Sequence, residues 1–288
     1  MTTNSAIERV LAGDHVQAKY EALQIQLREY LRDGLLVAFS GGVDSSFLVW
    51  AAQQQLEASG GTLLALTTSS ASLASAERND VSSFVELFGF DHLWVDSLEL
   101  ESSRYLVNDA TRCYHCKSEL FRICGEAAAD RGLKNIAYGF NASDLGDTRP
   151  GHVAATENGV VSPLADAGLT KDDIRQLMRI NGIDLAEKPA SPCLSSRLVT
   201  GVAITSEKLR AVDELETLLR GGGLKVFRVR IHESNGSRFV RLEVASEEIG
   251  AAFALRSEFT AAAKKLGFRW VTLDLEGYKT GGGNTPTA

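Results

Sequence analysis

Short apolar runs alternate along the chain with stretches of helical spacing. Over 14–32, Tyr20, Leu23, Leu27 and Leu31 recur every three or four positions, which predicts a helix capped by Asp14 and ended by Gly34. Leu35-Leu36-Val37-Ala38-Phe39 has no polar interruption, as a strand buried on both faces requires. Helical spacing resumes over 47–56, and 62–67 reads as a second strand. A helix over 75–88 ends at Gly89, Leu93-Trp94-Val95 forms a third strand, 113–131 a helix and 135–138 a fourth strand. Thr170 and Asp173 offer a capping box to a helix over 170–181, closed by Gly182. This alternation predicts an α/β fold with a doubly wound, mostly parallel sheet.

After about residue 200 the period changes. A helix over 206–220 and Gly221-Gly222-Gly223 precede three segments of period two, 225–232, 238–244 and 269–275, with a helical stretch at 246–266. They predict a smaller α+β unit with a mostly antiparallel sheet. Phe227, Val229, Ile231, Val240, Leu242, Val271 and Leu273 share a core face, and Arg228, Arg230, His232, Arg241, Glu243 and Asp274 share the other. The expected domains are 1–200 and 201–280, with a polar, Gly-rich tail at 281–288 expected to be disordered.

Composition narrows the function classes. With 44% hydrophobic and 23% charged residues in 288, the chain is an ordinary globular protein. A net charge of −7 argues against coating nucleic acid, and no apolar run approaches the ~20 residues of a membrane span. The stretch MTTNSAIERVLAGDH lacks an apolar signal core, so a cytoplasmic protein is expected. Four cysteines are too few for a disulfide scaffold, and a Cys-x-x-Cys pair in a cytosolic chain points to metal or redox chemistry.

Two motifs carry candidate chemistry. Ser40-Gly41-Gly42-Val43-Asp44-Ser45-Ser46 leaves a buried strand and opens a helix. Its glycines let backbone approach an anion, while the serine hydroxyls and helix N-terminal amides supply donors. It lacks the Gly-Lys-Ser/Thr of a Walker loop, and a tight turn capped by Asp44 or Ser45 is the plainer alternative. The second motif joins Arg112-Cys113-Tyr114-His115-Cys116-Lys117 to Ser191-Pro192-Cys193-Leu194-Ser195-Ser196-Arg197. Cys113 and Cys116 share one helical face. Three readings stay open: unrelated thiols, structural zinc with His115 or His152 as fourth ligand, or a [4Fe–4S] cluster on three thiolates with one iron open. Cys124 reads as a core thiol. The Arg228, Arg230, His232 and Arg241 face suits a phosphate or carboxylate, or else a solvated face balanced by Glu243 and Asp274.

SGGVDSS is similar to the pyrophosphate loop of the PP-loop ATP pyrophosphatases. That resemblance implies that Ser40, Gly41, Gly42, Asp44, Ser45 and Ser46 bind ATP for cleavage between its α- and β-phosphates. Mg²⁺ accompanies such chemistry, with Asp44 or Asp144 helping to hold it. Over roughly 15–280 the chain resembles the LarE-type ATP-dependent sulfur transferases. The likeness rests on the loop, on Gly139, Asp144 and Asp147-Thr148-Arg149-Pro150-Gly151, on Ser195-Ser196-Arg197, on Val226-Phe227-Arg228-Val229-Arg230 and on Val271-Thr272-Leu273-Asp274-Leu275.

The LarE-type family implies adenylylation of a pyridinium dicarboxylate mononucleotide. Sulfur delivery then gives a thiocarboxylate for the nickel-pincer nucleotide cofactor of lactate racemase. It implies a small-molecule nucleotide substrate and a homo-oligomer. It places Arg228 and Arg230 on substrate phosphate and Glu216 and Asp274 among the catalytic polar groups. Lys117 joins the substrate phosphate group, with a solvated helix residue as its alternative, and Arg197 the ATP phosphates. In one branch a sacrificial cysteine stands three residues before Ser-Ser-Arg; here that position is Pro192, and Cys193 comes one residue later. Cys113, Cys116 and Cys193 instead resemble the cluster-bearing branch, with Cys193 also at the chemistry. The competing readings are another PP-loop enzyme, for tRNA thiolation or amide formation, and a non-enzymatic ATP-binding or metal-sensing module.

Overall fold

The structure is a computed structural model describing residues 3–146, 150–234 and 236–279, with side chains from residue 15 onward. Asp147-Thr148-Arg149 and the tail at 281–288 lie outside the described residues. In chain order the elements are α1 (Thr3–Arg32), β1 (Leu35–Ala38), α2 (Val43–Ser59), β2 (Leu63–Ser69), α3 (Ser75–Phe88), β3 (His92–Asp96), α4 (Ser103–Leu106), α5 (Arg112–Arg131) and β4 (Asn135–Tyr138). They continue with α6 (Pro150–Glu157), α7 (Pro163–Asp166), α8 (Lys171–Ile180), α9 (Ser206–Gly221), β5 (Phe227–Ser234), β6 (Ser237–Val244), α10 (Ile249–Ala254), α11 (Arg256–Lys265) and β7 (Trp270–Leu273). Helix α1 begins well before Asp14, which therefore does not cap it; no proline interrupts the preceding residues.

Strands β1–β4 form one parallel sheet in the order β3-β2-β1-β4, flanked by helices. Every residue of the central strand β1 is buried, which explains its unbroken apolar sequence. Val16, Tyr20, Leu23, Leu27 and Leu31 of α1 pack into the same core. The chain winds outward from β1 to β3 and then returns to place β4 on the other side of β1. In such doubly wound sheets ligands bind beyond the carboxyl ends of the strands where the order reverses. Here that point lies between β1 and β4, whose next residues are the Ser40–Ser46 loop and Gly139–Asp144.

The smaller sheet has the order β5-β6-β7. A tight hairpin makes β5 and β6 antiparallel, pairing Arg228 with Glu243 and Arg230 with Arg241. The pairing of β6 with β7 is parallel, against the expected mostly antiparallel sheet. The reason is the connection: α10 and α11 carry the chain back along the sheet, as a crossover must. Phe227, Val229, Ile231, Val240 and Leu242 do face the core. The opposite face is covered as well at Arg228, Arg230 and Glu243, all buried.

Two compact units result, one drawn from residues 1–69, 79–97 and 117–190, the other from 70–78, 98–116 and 191–288. Within the second, Asn108 joins segments far apart in sequence. It is buried and holds a left-handed φ of 58°, where an L side chain pays for its Cβ. Its Nδ2 donates to the carbonyls of Leu198, Val199 and Val202 at 3.3, 3.0 and 2.9 Å. Its Oδ1 accepts from Arg112 Nη1 at 2.7 Å. Asn108→Ala should cost about 3 kcal/mol, because buried partners are left unmade. Asn108→Gly should cost about 1 kcal/mol less, since glycine removes the left-handed penalty. Denaturant unfolding of both variants checks this; a glycine variant no more stable than the alanine one would contradict it.

Candidate functional site

The Ser40–Ser46 loop is closed on itself. Ser40 N–H donates to Ser45 Oγ at 3.2 Å, the two hydroxyl oxygens lie 3.0 Å apart, and Ser45 Oγ donates to the Gly42 carbonyl at 3.2 Å. Helix α2 starts at Val43, and its N-cap Gly42 has no side chain to cap the first amides. Gly41 has φ +70°, and a Cβ there would meet Val81 Cγ2 at 2.6 Å. From the neighbouring strand, Gly139 backs directly onto the loop: a Cβ would lie 2.7 Å from Ser45 N. The loop is thus a cradle of backbone and hydroxyl donors at the reversal point of the sheet, the arrangement that binds anions.

Two side-chain oxygens in this cradle, Asp44 Oδ1 and Ser46 Oγ, are buried and have no hydrogen-bond partner among the described residues. Burial pushes the Asp44 carboxyl above the usual carboxylate range, and Asp144 adds to the rise, while Lys171, Arg175 and Asn141 pull the other way. Lys171 Nζ stands 3.8 Å from Asp44 Oδ2. Asp144 closes a capping box with Asn141 on the β4 side. Orphaned oxygens and a carboxylate disfavoured by burial suit a site completed by a ligand cation and its phosphate.

Sequence reasoning passed over Lys171, Arg175 and Lys188, which gather at this loop from the α8 region. No local motif marks them, because the fold brings them there from about 130 residues further along the chain. Lys117 lies 5.9 Å from the centre of the Phe121 ring on its own helix.

The remaining predicted residues belong to the second unit. Arg197 is almost wholly buried, and its Nε and Nη2 bond the two Glu216 oxygens at 2.9 and 3.0 Å. Glu216 Oε1 also accepts from Val229 N–H at 3.2 Å. Arg230 bonds Glu243 at 3.0 Å and the Ser196 carbonyl at 2.8 Å. Arg241 bridges Glu243 at 3.1 Å and Asp274 at 2.6 Å. Asp274 loses from desolvation, yet the Glu276 amide and Arg241 hold it below the usual range. Arg228 lies 5.0 Å from the Tyr278 ring centre; burial lowers its pKa most, and Arg197 and Arg230 lower it further. The arginine face is therefore a chain of paired charges, with the Arg197, Arg228 and Arg230 guanidiniums crowded beside it.

Cys113 and Cys193 are exposed, Cys116 is half-buried, and none forms a disulfide. Cys193 and Cys116 both act electrostatically on Tyr105, whose hydroxyl lies 2.6 Å from Ser195 Oγ. Cys193 and Cys113 outweigh the burial of Arg112 and raise its pKa. Arg112 is anchored on the Ser195 carbonyl at 3.1 Å and reaches Cys113 Sγ at 3.7 Å. Each of the three thiols thus acts on Tyr105 or Arg112, and Cys193 on both. Among the described residues no three His, Cys, Asp or Glu side chains converge closely enough to hold a single metal ion. His152 is engaged elsewhere, 2.7 Å from the Tyr138 hydroxyl and stacked on Phe140. Cys124 is fully buried and its thiol is pushed up to about 12 by that burial, as a core thiol would be.

Two predictions follow from these environments. Glu216→Ala strands Arg197 as a buried, unpaired cation and should cost about 3–5 kcal/mol in denaturant unfolding; a loss under 1 kcal/mol would show the pair to be energetically idle. Asp44 has the opposite sign. Its raised pKa makes the ionised carboxylate a cost at neutral pH, a cost that fades as pH falls through that pKa. Asp44→Asn should raise the melting temperature of the nucleotide-free protein at neutral pH, with the gain shrinking in acid. A variant that melts lower at neutral pH would contradict this.

No family model matches the chain. An uncharacterised protein of Synechocystis sp. is 38% identical over 251 residues, covering 86% of this chain and 91% of its own. Pyridinium-3,5-bisthiocarboxylic acid mononucleotide synthase of Lactiplantibacillus plantarum is 30% identical over 245 residues, 85% of this chain and 87% of that protein. An uncharacterised protein of Methanocaldococcus jannaschii is 27% identical over 181 residues, 63% of this chain and 69% of its own. With that identity to the synthase sustained over most of both chains, the protein belongs to the LarE-type family of pyridinium-3,5-bisthiocarboxylic acid mononucleotide synthases.

Proposed function

We propose that this protein is a cytoplasmic, homo-oligomeric ATP-dependent sulfur transferase of nickel-pincer cofactor biosynthesis, acting on a pyridinium dicarboxylate mononucleotide. The observation that carries the reading is the SGGVDSS cradle at the sheet's reversal point, with Asp44 and Ser46 oxygens left unsatisfied, in a chain so similar to the synthase. A carboxylate is a poor acyl donor. Its oxygen attacks the α-phosphorus of ATP, the bond to the β-phosphate oxygen breaks, and pyrophosphate leaves. A sulfide donor then attacks the carbonyl carbon, the C–O bond to AMP breaks, and a thiocarboxylate remains.

In this reading the amides and hydroxyls of Ser40–Ser46 bind pyrophosphate as it leaves, and Asp44 or Asp144 would hold Mg²⁺. Arg228 and Arg230 receive the substrate phosphate, which would relieve the repulsion among their crowded guanidiniums. Arg197, Glu216 and Asp274 act as fixed charges that position this group, as their tight pairing supports. Cys113, Cys116 and Cys193 suit a [4Fe–4S] cluster in kind: none is held in a disulfide, and a cubane separates its thiolates more widely than one metal ion does. Such a cluster supplies an iron with an open position for sulfur.

The test measures pyrophosphate, AMP and thiocarboxylate with MgATP, the dicarboxylate mononucleotide and a sulfide donor under anaerobic conditions. Gly139→Ala, which drives a Cβ into Ser45, should lower pyrophosphate release by about 10²-fold. Cys193→Ala should release pyrophosphate but form no thiocarboxylate. Pyrophosphate release only with tRNA or an amine acceptor would overturn the assignment. Full iron and sulfide loading of the Cys193→Ala protein would overturn the cluster.

A further inference from the structure

Lys188 lies beyond every motif of the sequence analysis, yet its ammonium rests on the phosphate loop. Its Nζ donates to the Gly41 carbonyl at 2.9 Å and pairs with Asp80 Oδ2 of α3 at 2.8 Å. The lysine side chain is 12% exposed while Asp80 is 44% exposed. The backbone around it is pinned: Arg175 donates to the Ala186 carbonyl and, at 2.9 Å, to the Lys188 carbonyl. A long, flexible side chain is thus fixed at its root and aimed at the loop that lacks a Walker lysine.

We propose that the Asp80–Lys188 pair is a displaceable latch on the phosphate loop. Asp80 holds the ammonium in the nucleotide-free state and yields it to the polyphosphate of an incoming nucleotide, so that Lys188 selects for the pyrophosphate portion of the ligand. This deepens, and rests on, the ATP reading of the loop. The exchange is favoured by charge and by burial. A half-exposed carboxylate carrying one charge makes a weak partner, whereas polyphosphate oxygens carry several charges and form charge-assisted bonds. No other group need move far, because the ammonium already sits on the carbonyl of a glycine inside the cradle. Asp80 therefore competes with the ligand, and its removal should help binding where an ordinary structural ion pair would hurt it.

The experiment measures binding of Mg²⁺ with α,β-methylene-ATP, of inorganic pyrophosphate and of AMP to the full chain, with thermal melting of each variant alongside. Asp80→Asn should tighten the two polyphosphate ligands by about two- to five-fold and leave AMP unchanged. Lys188→Gln keeps a donor for the Gly41 carbonyl but removes the charge; it should weaken them by about tenfold or more, again sparing AMP, and Lys188→Arg should recover part of the loss. Unchanged or weaker polyphosphate binding by a folded Asp80→Asn protein overturns the latch. Equal loss of AMP and polyphosphate binding in Lys188→Gln overturns it too, as that pattern marks a collapsed loop. Failure of the unaltered protein to bind any of the three ligands instead overturns the ATP reading, and the latch with it.

Discussion

The parallel pairing of β1 with β4 is the constraint on which the candidate site depends. Register places Ala38 opposite Tyr138, so both chains leave the sheet at the same level. One leaves as the Ser40–Ser46 loop and the other as Gly139, whose missing side chain lets the backbones touch. Every later feature of the cradle follows from that proximity. Asn141 and Asp144 reach Asp44 from the β4 side, and the α8 region brings Lys171, Arg175 and Lys188 to the same place. A shift of one residue in this register would reverse the side chains of β4 and carry Gly139 away from Ser45.

The two units solve the problem of charge in different ways. Around the Ser40–Ser46 loop, Asp44 Oδ1 and Ser46 Oγ are buried without a hydrogen-bond partner among the described residues, a state that costs free energy. In the second unit, charge is nearly all internally paired. Arg197 with Glu216 and Arg230 with Glu243 are buried, and Arg241 bridges to Asp274. Pairs of this kind contribute little net stability compared with apolar packing, but they fix side-chain geometry because breaking one is expensive. Such a face is held rigid by its own pairs.

The cysteines show how the fold converts scattered residues into one locality. Cys113 and Cys116 open α5, while Cys193 lies beyond the parallel-sheet core in sequence. Asn108 ties their segments together through three carbonyls, and Arg112 spans the gap between Asn108, Ser195 and Cys113. The 98–116 stretch therefore belongs with 191–288 in one compact unit.

Much of the architecture was legible in the residues themselves. A five-residue apolar run bounded by glycine and a Ser-Gly-Gly turn reads as a strand covered on both faces, and spacing of three to four presents one helical stripe, so the parallel sheet and most helices followed from local pattern. The turn at Ser40–Ser46 was legible for the same reason: its glycines and serines act through their own backbone, within seven consecutive positions. Local pattern could not show that β7 runs parallel to β6, since direction depends on the path of the connection. Nor could it show that the arginine face is covered, because alternation distinguishes two faces without saying what lies over each. Asn108 and Lys188 carried no signal at all. Their roles come from partners about 90 and 147 positions away, and contacts at such separations exist only once the chain has folded.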